Sequence, residues 1–173
     1  MPLFTKKTAI PVIRVWHKHC HSTPVDELYP IVEIKGSYGV TLRELLEAHK
    51  QGIILLEHDV RITSDAIKKM LDYHYSHDRE MPLVYPYPIY PITTGLTEPV
   101  IVHRVNQQFI TMPQQPIIVN QWGLGAAYIP HVLKMYIQDY WDYPKLDMYL
   151  SRCIDAICLP YYLLDHEHKG YTA

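Results

Sequence analysis

"IILLEHDVRI", residues Ile53 to Ile62, places four aliphatic residues in a row directly before Glu57, His58 and Asp59. Four such side chains belong inside a protein, and two acids and an imidazole do not. The run is short, uninterrupted and followed by polar chain, so it reads as a buried strand that ends in a cluster of metal-loving groups.

The chain on either side gives that strand its context. "TLRELLEAHKQG" (Thr41 to Gly52) carries an N-cap threonine with Glu44 three residues on, which is a capping box. Leu42, Leu45, Leu46 and His49 share one face, and Gly52 closes the helix. "TSDAIKKMLDYHYSHD" (Thr63 to Asp78) predicts a second capped helix with Ile67, Met70, Leu71 and His74 on its inner stripe. Upstream, "AIPVIRVWHKH" (Ala9 to His19) and "YPIVEIKG" (Tyr29 to Gly36) each predict a short strand running into polar residues. Strands alternating with helices predict an α/β fold with a mostly parallel central sheet flanked by helices. Ligands of such sheets sit at the carboxyl ends of the strands. That rule selects His17 to His19, Glu33 with Lys35, and Glu57 to Asp59.

The second half has a different texture. "LVYPYPIYPITTG" (Leu83 to Gly95) alternates tyrosine with proline and predicts extended edge chain rather than a central strand. "EPVIVHRV" and "QQFITM" predict a short antiparallel excursion. A helix is expected to begin near Pro130 and another to span Leu146 to Ala156, with a last strand after it. No repeat and no linker interrupts the chain. Residues 1–173 therefore read as a single domain whose texture changes at about residue 80.

Bulk properties exclude several classes. Apolar residues make up 48% of the 173 and charged residues 20%, a balance that builds a core. The net charge of −2 argues against a large nucleic-acid interface. Three cysteines (Cys20, Cys153 and Cys158) at irregular spacing form no disulfide framework and point to a reducing, cytoplasmic setting. No signal peptide and no membrane span is expected. "HKHCHS" (His17 to Ser22) lacks the paired spacing of a structural zinc site and reads as a polar loop. "GLGAA" lacks the spacing of a dinucleotide fingerprint.

In a strand, Glu57 and Asp59 share a face; at a strand end, the chain can turn and leave Asp59 as the exposed group. Crowded carboxylates repel unless a cation or protons lie between them. Oxygen ligands favour Mg²⁺ or Mn²⁺, and the neighbouring imidazole of His58 shifts preference toward Mn²⁺. The structural alternative is that Glu57 caps, His58 packs and Asp59 pairs with Arg61.

This layout resembles the GT-A fold of nucleotide-sugar-dependent glycosyltransferases, especially the family-2-like enzymes. "ILLEHDV" is similar to their acid-x-acid motif after an apolar strand, with Glu57 replacing the first aspartate. "WGLGAAYIP" (Trp122 to Pro130) resembles their turn and strand beside the acceptor site, and "YPKLDMYLSRC" offers Asp147 where they carry a catalytic base. "LDHEHKGY" offers His166 or His168 where many members complete a metal site. The resemblance implies a metal-dependent transfer of a sugar from a UDP- or GDP-sugar to a hydroxyl acceptor, by inversion, with a nucleotide-binding half over about 8–80 and an acceptor-side half over about 81–173. It implies Asp147 as catalytic base, and Asp59 with His166 or His168 as ligands of Mn²⁺ or Mg²⁺. His17, Glu33, Lys35, Glu57, His58, Trp122 and Gly123 would line the donor and sugar pocket, with Arg43 or Lys35 adding positive charge. The rival readings are a nucleotidyltransferase and a scaffold domain that kept the fold without the chemistry. The oligomeric state stays open, a homo-oligomer included.

Overall fold

The computed structural model describes residues 9–20, 23–26, 28–78, 80–89, 100–142 and 145–161. In chain order its elements are β1 (Val12–Trp16), β2 (Ile31–Glu33), α1 (Tyr38–Ala48), β3 (Ile53–Glu57), α2 (Ser64–Ser76), β4 (Leu83–Val84), β5 (Pro88–Ile89), β6 (Val100–Ile101), β7 (Arg104–Val105), β8 (Gln108–Phe109), β9 (Ile117–Val119), β10 (Ala126–Ile129), a 3-10 helix (His131–Met135), α3 (Leu146–Cys153) and β11 (Ala156–Cys158).

One sheet runs through both halves of the chain, in the order β2-β1-β3-β10-β4-β11-β9. β1 pairs parallel with β2 and with β3, and β4 pairs parallel with β11. β10 lies antiparallel between β3 and β4, and β9 lies antiparallel on the outer edge of β11. The sheet is thus mixed, with β9 and β10 reversed among strands that otherwise point one way. The first and second halves of the chain share this sheet, because β10 joins the two sets of strands.

β3 explains itself by its neighbours. Ile53 and Leu55 face the core that holds Leu42 and Leu46 of α1 and Leu146 and Leu150 of α3. Ile54 and Leu56 face the other core, with Ala66, Ile67 and Met70 of α2. Both faces are covered, so the strand needs apolar residues at every position. All four side chains are wholly buried. Removing one such leucine side chain beyond Cβ costs about 2–5 kcal/mol.

Helix α2 starts as its sequence predicts, with the Thr63 hydroxyl accepting the Ala66 N–H at 3.1 Å. Helix α1 does not. Its cap is Ser37, which accepts the Val40 N–H, and Thr41 lies inside the helix with its hydroxyl on the Ser37 carbonyl. Gly36, at φ +80°, makes the turn that brings Ser37 into place. Burying Tyr38, which is 1% exposed, then favours the earlier start over the capping box at Thr41 and Glu44. Two further expectations shift. The segment after Pro130 is a 3-10 helix rather than an α-helix, and α3 stops at Cys153 so that Ala156 can enter β11.

The Tyr-Pro stretch divides. Leu83 and Val84 form β4 in the middle of the main sheet, contrary to the edge position expected of the stretch, because the first proline inside it follows two residues later. Pro88 and Ile89 form β5, which pairs with β6 outside the main sheet. The expected excursion is present as the β7–β8 hairpin, turned through Asn106 and Gln107 at positive φ. Among the described residues, no helix is long and apolar enough to cross a membrane.

Candidate active site

The acidic turn follows β3. Glu57 is the last strand residue, in register with Val15 of β1, and its N–H donates to the Gly125 carbonyl at 3.0 Å. Beneath the turn lies Arg14, in the middle of β1 and fully buried. One terminal nitrogen, Nη1, donates to the carbonyls of Glu57 and Val60, each at 2.7 Å. The other, Nη2, reaches the Asp26 carboxylate at 3.0 Å. Burial lowers the Arg14 pKa from its usual value, and Asp26 opposes that effect. Residues 23–26 in turn cross the acidic turn, with the Val25 N–H on the His58 carbonyl at 2.9 Å. The His58 and Asp59 side chains are each 11% exposed, with imidazole Nδ1 and a carboxylate oxygen 4.0 Å apart.

The glycine segment beside β3 is shaped by Tyr87. The Gly125 N–H donates to the phenol oxygen at 3.1 Å. Added Cβ atoms at Gly123 and Gly125 would collide with the Tyr87 side chain. A second buried ring fixes the same segment: His103 Nδ1 accepts the Gly123 N–H at 3.2 Å, so its Nε2 carries the proton and donates to the Tyr85 carbonyl at 2.8 Å. Burial pushes the His103 pKa down to about 4, and the ring is neutral at pH 7.

The Tyr87 phenol is itself perturbed. Its phenol is held well above the usual tyrosine range, first by burial and then by the charges of Glu57, Asp147 and Asp59. Burial dominates, and the three carboxylates add to it in the same direction. Asp147 lies in the first turn of α3, where one carboxylate oxygen accepts the Met148 N–H at 2.7 Å. Ser151, one turn later, ties that helix to the glycine segment. Its hydroxyl accepts the Trp122 N–H at 3.0 Å and lies 2.8 Å from the Asp147 carbonyl.

The remaining expected residues fall into three groups. His17 follows β1, Glu33 ends β2 and Lys35 lies two residues beyond, so these stand at the same end of the sheet as Glu57, His58 and Asp59. Trp122 and Gly123 are corrected. The Trp122 indole is 3% exposed in the core and donates to the Ile154 carbonyl, so it supports the segment instead of lining a pocket. The Gly123 N–H is engaged by His103, and the close approach its missing Cβ permits is to Tyr87. Arg43 is also corrected: it pairs with Asp139 on the outer side of α1. His166 and His168 lie outside the described residues. Among the described residues, no group of three His, Cys, Asp or Glu side chains is arranged to hold a metal ion.

Arg14, Tyr87 and His103 were not singled out from the sequence. An arginine inside the apolar run "VIRVW" was a usable signal, because a buried guanidinium needs several acceptors. Tyr87 and His103 gave none among so many tyrosines and histidines.

No protein-family model matches the chain, and no curated protein matches it. Among solved structures the chain is similar to A197 from STIV, with 15% identity over 87% of this chain and 82% of that chain, at a TM-score of 0.52. At that identity the likeness concerns the fold alone: a mixed α/β chain whose mostly parallel central sheet is flanked by helices.

Proposed function

We propose that the chain is a glycosyltransferase that moves a sugar from a nucleotide-diphosphate sugar to a hydroxyl acceptor. The observation that carries this reading is geometric: Glu57 and Asp59 leave β3 at the sheet end that also holds His17 and Glu33, and the glycine segment bonded to Glu57 is tied through Ser151 to the helix start that carries Asp147.

The three acids divide by position. Glu57 and Asp59 lie at the carboxyl end of β3, beside the ends of β1 and β2, where His17, Glu33 and Lys35 would receive the nucleotide. Glu33 would accept from ribose hydroxyls. Asp147 stands on the glycine-segment side, at the start of α3. There it would take the proton of the acceptor hydroxyl as that oxygen bonds to the sugar carbon. The bond from sugar to diphosphate breaks, and its electron pair leaves with the diphosphate. A base on the face opposite the leaving group gives inversion.

Mg²⁺ or Mn²⁺ fits the donor side by the chemistry of its groups. Such ions bind diphosphates through one or two protein carboxylates, the phosphates and water, so Glu57 and Asp59 suffice without a full protein cage. When bound, the cation would neutralise charge on the departing diphosphate.

The test combines binding and turnover. UDP or GDP with Mn²⁺ should raise the melting temperature by mass action, and the matching donor should be hydrolysed slowly. Asp59→Ala should abolish both. Binding without hydrolysis of any donor would make the chain a nucleotide-binding domain, and no shift with either nucleotide would sink the proposal.

A further inference from the structure

We infer that Arg14 is the positioning residue of the acidic turn, and that through Asp26 it couples that turn to the loop after β1. The inference rests on the proposed function for its consequence, but its geometry stands independently.

Consider what the turn needs. Glu57, His58 and Asp59 must leave β3 and present two carboxylates at one place. Carbonyls on either side of such a turn point inward and need donors. Arg14 supplies them, with a single nitrogen bridging Glu57 and Val60 at 2.7 Å each. The rigid guanidinium fork then sends its second arm to Asp26. Asp26 is held by its own surroundings, since its other carboxylate oxygen accepts the Leu28 N–H at 3.2 Å. Its neighbour Val25 closes the arrangement by donating to His58. Strand β1, the loop behind it and the turn after β3 are thus joined through one side chain.

That arrangement assigns Arg14 a task different from that of the acids. It touches no ligand and transfers no proton. It pins the Glu57 and Val60 carbonyls that bracket His58 and Asp59, and it lays a buried positive charge under a pair that would otherwise repel. The loop it couples begins with His17, on the nucleotide side. Displacement of the loop and displacement of the acids therefore go together. The consequence is for affinity: loss of Arg14 weakens nucleotide–Mn²⁺ binding more than it slows the chemistry at Asp147.

The experiment has two readouts on the full chain. Amide hydrogen exchange over residues 57–60 reports the turn itself, and calorimetric titration of UDP or GDP in the presence of Mn²⁺ reports the site. For Arg14→Met, exchange over the turn should accelerate by at least about tenfold, the factor equivalent to 1.4 kcal/mol, with α2 unchanged, and affinity should fall by a similar factor. Arg14→Lys, which keeps a donor and the charge, should recover part of both. Asp26→Asn, which leaves both carbonyl bonds in place, should weaken affinity less than Arg14→Met. It decides the matter if Arg14→Met does not fold. Wild-type exchange in the turn of folded Arg14→Met, or wild-type exchange and affinity in Asp26→Asn, would overturn the inference. A wild-type protein that binds neither nucleotide would instead overturn the proposed function, while the exchange readout still decides the role of Arg14 in the turn.

Discussion

Gly125 and Tyr87 occupy mutually exclusive space. The glycine N–H donates to the phenol oxygen at 3.1 Å, and a Cβ on Gly125 would stand 2.6 Å from ring atoms Cε1 and Cζ. The contact locks the segment beside the acidic turn, whose Gly125 carbonyl accepts the Glu57 N–H, to a buried ring.

Gly125→Ala should therefore destabilise by about 3 kcal/mol or more, at the upper end of overpacking costs, because a buried ring and two strands must shift. The urea midpoint measures it. Tyr87→Leu in the same chain should recover part of the loss, and strict additivity of the two changes would show that the ring is not the obstacle.

Ser151→Ala should cost about 1–3 kcal/mol, since it leaves the buried Trp122 N–H without its acceptor. It should also lower turnover, because the same hydroxyl joins the Asp147 helix to the glycine segment. Unfolding curves and initial rates on one preparation check both.

Asp147→Asn should cut sugar transfer by about 10²–10⁴-fold, the usual contribution of a positioned base. Nucleotide affinity should be unchanged, since the proposed function puts Asp147 at the acceptor and not at the donor. A parallel loss of affinity would move it to the donor site.

His103 predicts a pH dependence. Its folded pKa of about 4 lies below the ordinary value of about 6.5, so the unfolded chain binds the extra proton first. The stability this neutral ring contributes is fully present above pH 6.5 and is lost as pH falls through about 4. The loss approaches roughly 3 kcal/mol when complete. His103→Gln keeps a donor and an acceptor but does not titrate. The difference between wild type and this variant, measured by urea unfolding from pH 7 to 4, should follow that window.

The sequence showed much of this through short-range pattern. The aliphatic run at Ile53–Leu56 and the cap at Thr63 are local, and both stand as expected. The alignment of His17, Glu33 and Glu57 at one sheet end followed from strand order alone. What was misread depends on partners far along the chain. Ser37 rather than Thr41 caps α1 because Tyr38 is buried and Gly39 packs against the backbone at Trp141. The resemblance puts Gly123 beside a sugar, whereas Tyr87 fills that space and the space at Gly125. Trp122, expected to line the same pocket, is core. Composition cannot distinguish a glycine that admits a ligand from one that admits a tyrosine.

β10 has a bearing on how the chain is made. The strand that carries the acids gains its second neighbour only when residues 126–129 arrive, and β4 waits for the same residues and then for 156–158. On the ribosome, the first half emerges with the flank of β3 unpaired and strongly apolar, an invitation to stick to other nascent chains. Such late-closing pairings fold slowly. Truncation before residue 126 should therefore yield inclusion bodies rather than a smaller working unit, and production of the whole chain should benefit from slow synthesis at low temperature.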